Sequence, residues 1–253
     1  MKNIVVIPAR LESSRLHQKV LLDLDGKSIL QRVYEQSSNA EAIDAVYIAT
    51  DSTDIQNACK HFTDNIIMTA STHASGTDRI AEAVSSIDCD NIINVQGDEP
   101  FIEPSLISKI AKAIENPDTV MASAMHRIHT TADLMNPNIV KVVVNKDNQA
   151  LYFSRSIIPH HRDGWETLTE HHEIIPDALH FYRHIGIYGY SKEFLLKFSK
   201  MEQSYLERVE RLEQLRVLES AHSIQMITVD YDAFGIDTQD DYEKAKQRIR
   251  NTK

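Results

Sequence analysis

Residues 3–10 read NIVVIPAR, an apolar run that stops at a proline and ends on an arginine. The mostly apolar run at 3–7 predicts a strand that is buried on both faces. Similar runs occur at residues 45–49 (AVYIA) and 91–95 (NIINV), with helix-forming stretches between them. Buried strands that alternate with helices predict a mostly parallel sheet with right-handed crossovers. We therefore predict an α/β fold with a mostly parallel central sheet.

Polar residues follow each of these three predicted strands. The segments are PAR (8–10), ATD (49–51) and QGDEP (96–100). Parallel strands end at the same edge of a sheet, so we expect these segments to be neighbours although they are far apart in sequence. Ligands of such sheets bind beyond the carboxyl ends of the strands. The rim formed by these segments is therefore the predicted binding site.

The second half of the chain shows a different pattern. Residues 159–176 are rich in histidine and charge and show no period, so we predict an exposed irregular loop. Apolar residues at three-residue intervals predict one amphipathic helix over 206–219. A last helix is predicted over 238–249, with Thr238 as its cap. Later strands are predicted at 140–144, 151–154, 186–190 and 224–229, the first two as a hairpin.

The chain shows no repeat, linker or low-complexity tract. We predict a single domain over residues 1–253. The hairpin belongs to a small inserted antiparallel subregion at about residues 120–190.

The composition excludes several classes of protein. The net charge is −10, which disfavours nucleic acid as a partner because an acidic chain repels a phosphate backbone. No apolar run approaches the roughly 20 residues that a membrane span needs. The two cysteines are too few for a disulfide framework and too far apart for a CxxC site. We therefore expect a cytoplasmic protein without a membrane partner.

The loop after the first strand, PARLESSRLHQK (8–19), carries three cations and no glycine. Walker and Rossmann loops bind phosphates through glycine-rich backbone, so neither motif is present. Here the donors would be side chains, with Arg10 and Arg15 as bidentate forks and Lys19 as a point charge on a triphosphate. The alternative is a solvated loop whose charges pair with nearby acids, namely Glu12, Asp23 and Asp25.

Two aspartates follow predicted strands in distant parts of the chain. Asp98 belongs to QGDEP, and Asp237 belongs to GIDT (235–238). Two such carboxylates can share one Mg²⁺, which completes its shell with phosphates and water. Taken singly, each can have an ordinary local role: Asp98 as a turn residue before Pro100, and Asp237 as an acid that assists a helix N-terminus.

Eight short motifs occur in a fixed order along the chain: PARxxSxR with a later lysine, ATD, SGTDR, VQGDEP, YFSRxxIP, RHIGIYGY, LEQLR and GIDT. From residue 4 to about residue 246 this series resembles the 3-deoxy-manno-octulosonate (Kdo) cytidylyltransferases, the CMP-Kdo synthetases. The resemblance implies a nucleotidyltransferase fold that is Rossmann-like and glycosyltransferase-A-like. It implies transfer of CMP from CTP to the anomeric hydroxyl of Kdo, an acidic eight-carbon sugar of lipopolysaccharide synthesis. It also implies a homodimer whose contact lies in the inserted subregion.

The resemblance assigns roles to individual residues. CTP would be bound by Arg10, Ser13, Arg15, Lys19, Ser75 and Gly76. The sugar acid would be bound by Arg79, Gln96, Arg155, His184, Tyr188, Glu213 and Gln214, with Arg155 as the fork for its carboxylate. Mg²⁺ would be held by Asp98 and Asp237. Catalysis would depend on Arg10, Lys19, Asp98 and Asp237.

Some of these residues can instead have purely structural roles. His184 can be a structural histidine, and Glu213 and Gln214 can be the polar face of the predicted helix. The phosphate loop also departs from the family, which commonly has Leu-Pro-Gly-Lys-Pro where this chain has LHQKV (16–20). Similarly, Ile-Pro-Trp is usual where this chain has IPH (158–160).

These departures leave the sugar open, between Kdo and a variant such as 8-amino-Kdo. The alternatives are a cytidylyltransferase for another acidic sugar, such as a sialic-type acid, and a non-catalytic nucleotide-sugar sensor.

Overall fold

The computed structural model describes residues 1–12, 15–171, 173–231 and 233–251. The described residues form nine strands, numbered along the chain: β1 (Asn3–Ala9), β2 (Ala45–Thr50), β3 (Ile66–Met68), β4 (Asn91–Asn94), β5 (Met121–Arg127), β6 (Lys141–Val144), β7 (Ala150–Ser154), β8 (Tyr182–Ser191) and β9 (Gln225–Thr228). The same ranges contain ten α-helices: α1 (Ile29–Ser38), α2 (Thr53–Cys59), α3 (Gly76–Val84), α4 (Pro104–Ile114), α5 (Thr131–Met135), α6 (Trp165–His171), α7 (Lys192–Phe198), α8 (Tyr205–Glu210), α9 (Leu215–Glu219) and α10 (Gln239–Asn251). A short 3₁₀ helix lies at Lys19–Leu21.

Strands β3, β2, β1 and β4 form the parallel half of the sheet, in that order. Ala9 of β1 pairs with Thr50 of β2, and Val6 of β1 pairs with Asn94 of β4. The three strands therefore end side by side, and the segments PAR, ATD and QGDEP meet at one rim. The prediction of an α/β fold with a mostly parallel central sheet is confirmed.

The rest of the sheet contains antiparallel strands. β8 lies between β4 and β5 and is antiparallel to both, while β9 is parallel to β5 at the far edge. The predicted hairpin is present as β6 and β7, and β6 extends the sheet by pairing with the start of β8. The boundaries of the single domain and of its inserted subregion stay a prediction.

Helices cover both faces of the sheet, as the double burial of β1 requires. Ile4 and Val6 pack in one cluster with Ile80 of α3, and Val5 packs in another with Leu30 of α1. All four central residues of β1 are 0% exposed. β1 thus lies in a sheet that is covered by helices on both faces. Because both of its faces are covered, only the end of the strand can meet a ligand.

The single helix predicted over 206–219 is wrong, because the chain breaks into α8 and α9. Arg211 takes the left-handed conformation, with φ 56° and ψ 45°. The break lets Glu207 reach Arg216, where Oε1 accepts from Nη2 at 2.6 Å in a buried ion pair. In one continuous helix these two residues would be about 13.5 Å apart along the axis, too far for an ion pair.

The prediction of an exposed irregular loop over 159–176 is also wrong in part. α6 forms inside it, and Leu168 and Ile175 are buried in a small cluster that includes Phe181 of the neighbouring segment. The apolar residues of this stretch are too few to show a period, so only the tertiary contacts reveal them. Within the described ranges, no helix combines the length and apolar character that crossing a bilayer requires.

Candidate active site

The centre of the candidate site is the side chain of Lys19, at the rim where the parallel strands end. Its Nζ donates to Oδ2 of Asp98 at 2.6 Å and to Oδ1 of Asp237 at 2.8 Å. Arg15 donates to the other carboxylate oxygen of Asp237 at 3.1 Å. The structure thus brings together part of the cationic loop and the two aspartates that lie far apart in sequence.

This cluster lies partly out of solvent, which strengthens its ion pairs. The side chain of Lys19 is 12% exposed and that of Asp98 is 29% exposed. Burial lowers the pKa of Lys19, but the charges and hydrogen bonds of Asp98 and Asp237 outweigh it, so the pKa is raised. Lys19 therefore remains a cation at neutral pH.

Backbone hydrogen bonds hold Asp237 beside Asp98. The N–H of Ile236 donates to the carbonyl of Asp98 at 3.0 Å. At the start of α10, Oδ2 of Asp241 accepts from the N–H groups of Asp237 and Thr238. Because Asp241 satisfies these donors, the carboxylate of Asp237 is not used for capping and is directed toward the cationic loop.

The two aspartates fit a shared divalent cation. Their oxygens already converge on one cationic atom, Nζ of Lys19. Across the described part of the chain, no group of three or more His, Cys, Asp and Glu side chains could hold a metal ion. A metal here would depend on two carboxylates and on ligands from substrate and water. This donor set suits Mg²⁺ and does not suit Zn²⁺, which prefers nitrogen and sulfur.

A small cavity of about 240 Å³ adjoins this cluster and is lined by residues of the loop after β1 (8–19), of QGDEP and of the start of α3. Arg10 and Gln96 both line it, and Nη2 of Arg10 donates to the carbonyl of His73 at 3.1 Å. Gly97 favours a close approach here, since a Cβ at this position would be 3.1 Å from the carbonyl oxygen of Pro8, a tight contact. The β1 and β4 loops therefore pack closely enough to form one wall.

The start of α3 lies against this wall. Ser75 caps this helix by accepting from the N–H of Asp78 at 3.1 Å, and Gly76 lines the cavity. The first N–H groups of a helix favour anions. Ser75 and Gly76 thus lie on the same side of the rim as the cationic loop.

A second cleft, of about 320 Å³, brings together four residues assigned to the sugar: His184, Tyr188, Glu213 and Gln214. Burial lowers the pKa of His184 to about 3, so its imidazole is neutral at physiological pH. Burial raises the pKa of Tyr188, which keeps its hydroxyl protonated. This end of the site therefore offers neutral hydrogen-bonding groups.

Glu213 connects this cleft with a larger one of about 800 Å³ that also contains Ser75. Its Oε2 accepts from Oγ1 of Thr77 at 2.6 Å. Burial raises the pKa of Glu213, although Thr77 and Arg216 act in the opposite direction. Glu213 is therefore a partner of the α3 segment and not merely the solvated face of a helix.

Arg79, a predicted contact with the sugar acid, is not brought into these clefts by the structure. Arg79 is 0% exposed and donates to Oγ1 of Thr69 at 2.6 Å and to Oδ2 of Asp51 at 3.0 Å. It therefore joins α3 to the end of β2 and offers no surface to a ligand. Ser13, a predicted CTP contact, lies outside the described residues.

Arg155 lies beside the break between α8 and α9. Its Nε donates to the carbonyl of Glu210 at 2.9 Å, and its Nη1 donates to the carbonyl of Pro137 at 3.3 Å. The guanidinium is thus engaged by main-chain oxygens in this structure.

Three residues of the site are not identified by the sequence patterns. Arg183 and Arg211 line the second cleft and add positive charge to it. Both lie in or beside two of the eight motifs, RHIGIYGY and LEQLR, and this proximity is the only sequence signal for them. Glu99 belongs to QGDEP, and burial, together with the charge of Asp98, raises its pKa to about 7.

Comparisons with known proteins agree along the whole chain. Residues 4–224 match a family model described as "Cytidylyltransferase". The chain is 42% identical to a 3-deoxy-manno-octulosonate cytidylyltransferase of Geotalea uraniireducens, over 99% of this chain and 100% of the relative. It is 42% identical to the protein of that name from Pelobacter propionicus, over 97% and 96% of the two chains.

A solved structure gives the same result. The chain is similar to CMP:2-keto-3-deoxy-manno-octonic acid synthetase complexed with CTP, with a TM-score of 0.91 and 35% identity over 100% of both chains.

Proposed function

The chain belongs to the 3-deoxy-manno-octulosonate cytidylyltransferase family, and we propose that it transfers CMP from CTP to the anomeric hydroxyl of Kdo. The observation that carries the proposal is the cluster of Lys19, Asp98 and Asp237 at the rim of the parallel sheet. It places a cation and two carboxylates beside a cavity that Arg10 also lines. This arrangement suits a triphosphate, in agreement with the resemblance of the motifs.

The proposed reaction exchanges one bond at phosphorus for another. The anomeric oxygen bonds to the α-phosphorus as its proton passes to water, the bond from that phosphorus to the bridging oxygen breaks, and pyrophosphate leaves. The main obstacle is that an anionic sugar approaches an anionic nucleotide. Arg10 and Lys19 reduce this repulsion and stabilise the charge that builds up on the phosphates. The raised pKa of Lys19 keeps that charge in place at neutral pH.

Asp98 and Asp237 would hold Mg²⁺ in this proposal. The bound ion would supply Lewis-acid polarisation of phosphate and sugar oxygens. Lys19, which donates to both carboxylates in this structure, could then donate to phosphate oxygens. Lys19 would therefore pair with Asp98 and Asp237 in the free enzyme and with phosphate in the substrate complex, where the two aspartates would hold Mg²⁺.

The sugar acid would occupy the cleft beside β8. His184, Tyr188 and Gln214 offer neutral groups for sugar hydroxyls, and Arg183 and Arg211 offer charge for the carboxylate. A charge-assisted pair with a carboxylate is stronger than a neutral hydrogen bond. The mixture of both kinds of group favours an acidic polyhydroxylated ligand.

A substrate panel tests the proposal. CTP, UTP, ATP and GTP are combined with Kdo, 8-amino-Kdo and a sialic-type acid, with and without Mg²⁺, and pyrophosphate release is measured. We expect release with CTP and Kdo or its 8-amino form, and only when Mg²⁺ is present. Release with the sialic-type acid alone would favour the alternative cytidylyltransferase. Nucleotide binding without turnover in any combination would favour a sensor.

The phosphate-loop departures are the reason to include 8-amino-Kdo in that panel. A cytoplasmic location and a homodimer formed through the subregion at about residues 120–190 complete the proposal. The location rests on the composition, and the homodimer rests on the resemblance to the family.

A further inference from the structure

Ser123 of β5 is fully buried at an irregularity in the sheet. The register between β5 and β8 shifts after it, since Ser123 pairs with Tyr188 while Ala124 pairs with Ile185. The Ser123 hydroxyl lies within the shifted segment, where its Oγ is 2.8 Å from the carbonyl oxygen of Ile187. It also lies 2.8 Å from Nε2 of His184. One hydroxyl therefore contacts both the irregular strand and the imidazole that lines the sugar cleft.

Counting hydrogens fixes the direction of these bonds. The carbonyl of Ile187 can only accept, and two oxygens at 2.8 Å need a hydrogen between them. The carbonyl oxygen of Ile185, 3.2 Å from Oγ, can also only accept. The single hydrogen of the Ser123 hydroxyl therefore points to the main-chain oxygens, of which that of Ile187 is the nearer. Nε2 of His184 must then carry its own hydrogen and donate it to Oγ. The imidazole is neutral, because burial lowers its pKa to about 3, so Nδ1 has a lone pair.

The tautomer of His184 in turn orients Gln214. The side-chain nitrogen of Gln214 lies 3.4 Å from Nδ1, which can only accept, so the amide NH₂ must face the imidazole. Gln214 also lines the sugar cleft. With its NH₂ directed at His184, its Oε1 is the amide atom left for a ligand in that cleft.

We propose that Ser123 is a positioning residue for the sugar. Through His184, Ser123 turns the amide oxygen of Gln214 toward the cleft. That oxygen then accepts a hydrogen bond from a donor group of the sugar. This inference rests on the proposed function for the identity of the ligand. The relay itself runs from Gln214 to His184, then to Ser123 and to the carbonyl of Ile187. Without the Ser123 hydroxyl, His184 can adopt either tautomer and Gln214 can present either end of its amide.

Steady-state kinetics provide the first test. Ser123→Ala should raise KM for Kdo by about tenfold, the effect of losing one oriented hydrogen bond, while KM for CTP stays unchanged. Ser123→Thr, which retains a hydroxyl, should restore a KM for Kdo close to that of the original protein.

The matched control for this test is Ser37→Ala. Ser37 is equally buried, and its hydroxyl has no hydrogen-bond partner among the described residues. The control should leave both KM values unchanged. An unchanged KM for Kdo in Ser123→Ala, or an equal rise in both KM values, would overturn the proposal and leave Ser123 with a purely structural role.

The second test reads the tautomer directly and needs no turnover. Long-range ¹H–¹⁵N spectra of ¹⁵N-histidine-labelled protein, with the His184 signals assigned from a His184→Gln variant, should show Nε2 protonated and Nδ1 unprotonated. Ser123→Ala should shift these signals toward a mixture of tautomers. Protonated Nδ1 in the original protein would overturn the relay. The expected tautomer in a protein that does not turn over Kdo would contradict the proposed function and not the relay.

Discussion

The two ends of the candidate site are built from different kinds of interaction. At the nucleotide end, Lys19 of the β1 loop forms ion pairs with Asp98 and Asp237, which come from distant loops. At the sugar end, His184 and Gln214 are neutral and form a hydrogen-bonded chain inside the fold. The first end depends on charge, whereas the second combines the charge of Arg183 and Arg211 with the direction of hydrogen bonds.

This difference suggests how each end would treat its ligand. The carboxylates that pair with Lys19 still reach solvent, so Lys19 can exchange one of them for an arriving anion. A buried neutral network is costly to leave unsatisfied, so it rejects a ligand with the wrong donor or acceptor. We therefore expect changes at the nucleotide end to affect turnover, and changes at the sugar end to affect stability and sugar affinity.

The largest effect is expected from Asp98→Asn. It removes a charge that the proposed Mg²⁺ requires, and turnover should fall by roughly 10⁴-fold while the melting temperature changes little. The measurement is Mg²⁺-dependent pyrophosphate release together with a thermal unfolding curve. Asp118→Asn, in an exposed turn, is the matched control and should behave like the original protein. A folded and fully active Asp98→Asn protein would contradict the proposed role of Asp98 in turnover.

Glu207→Gln should have the largest effect on stability. It removes the nearer of the two carboxylates that pair, among the described residues, with the buried Arg216 guanidinium and leaves only Glu213, 3.9 Å away, which should cost about 3 kcal/mol of the free energy of unfolding. Because the pair of Glu207 with Arg216 spans the break between α8 and α9, KM for the sugar should rise as well. Urea denaturation measures the first effect and steady-state kinetics the second. The control is Glu243→Gln, whose exposed pair with Lys246 should contribute less than about 0.5 kcal/mol. If the two variants lost equal free energy of unfolding, the buried pair of Glu207 and Arg216 would not be the stronger of the two ion pairs.

The neutral state of His184 predicts a loss of stability in acid. The unfolded chain binds a proton at this residue below about pH 6.5, whereas the folded protein, with a pKa of about 3, does not. The free energy of unfolding should therefore fall as the pH falls, by about 2 kcal/mol between pH 7 and pH 5 from this residue. Urea titrations across that range measure it. His184→Gln should flatten the dependence and His180→Gln, at an exposed histidine, should not; identical slopes would contradict the buried neutral imidazole.

The smallest effect is expected at the phosphate loop. Gln18 takes the left-handed conformation, with φ 48° and ψ 34°, at the position where the family commonly has glycine. Gln18→Gly should stabilise the protein by about 1 kcal/mol because glycine adopts this conformation without strain. Gln56→Gly, inside α2, should destabilise it by a similar amount, since glycine weakens a helix interior. Urea denaturation of both variants measures whether the free energy of unfolding rises in one and falls in the other. A destabilised Gln18→Gly protein would contradict the expected relief of backbone strain at Gln18.

The nucleotide end could be predicted largely from the sequence. The apolar runs at residues 3–7 and 91–95 identify the strands, and parallel pairing then brings Arg10 and Asp98 to one rim. Asp237 needed the resemblance as well, because an aspartate before a helix is an ordinary capping residue. The structure shows that Asp241 has that role instead.

The sugar end could not be predicted in the same way. The apolar spacing over 206–219 matches one helix, and only the pairing of Glu207 with Arg216 across the break reveals two. Arg79 carries the signal of a binding residue but is used inside the fold, against Asp51. Ser123 has no sequence signal, because its importance depends on a register shift between two strands. Such features arise from long-range contacts, which local patterns do not encode.

The hydrogen bond from Ile236 to the carbonyl of Asp98 also bears on how the site forms during synthesis. Strands β1 to β4 and Asp98 all belong to the first 98 residues, which are synthesised first. Asp237 joins it only after nearly all of the described chain has been made. The proposed metal site can therefore be completed only late in translation, because a nascent chain that ends before residue 237 lacks one of its two carboxylates.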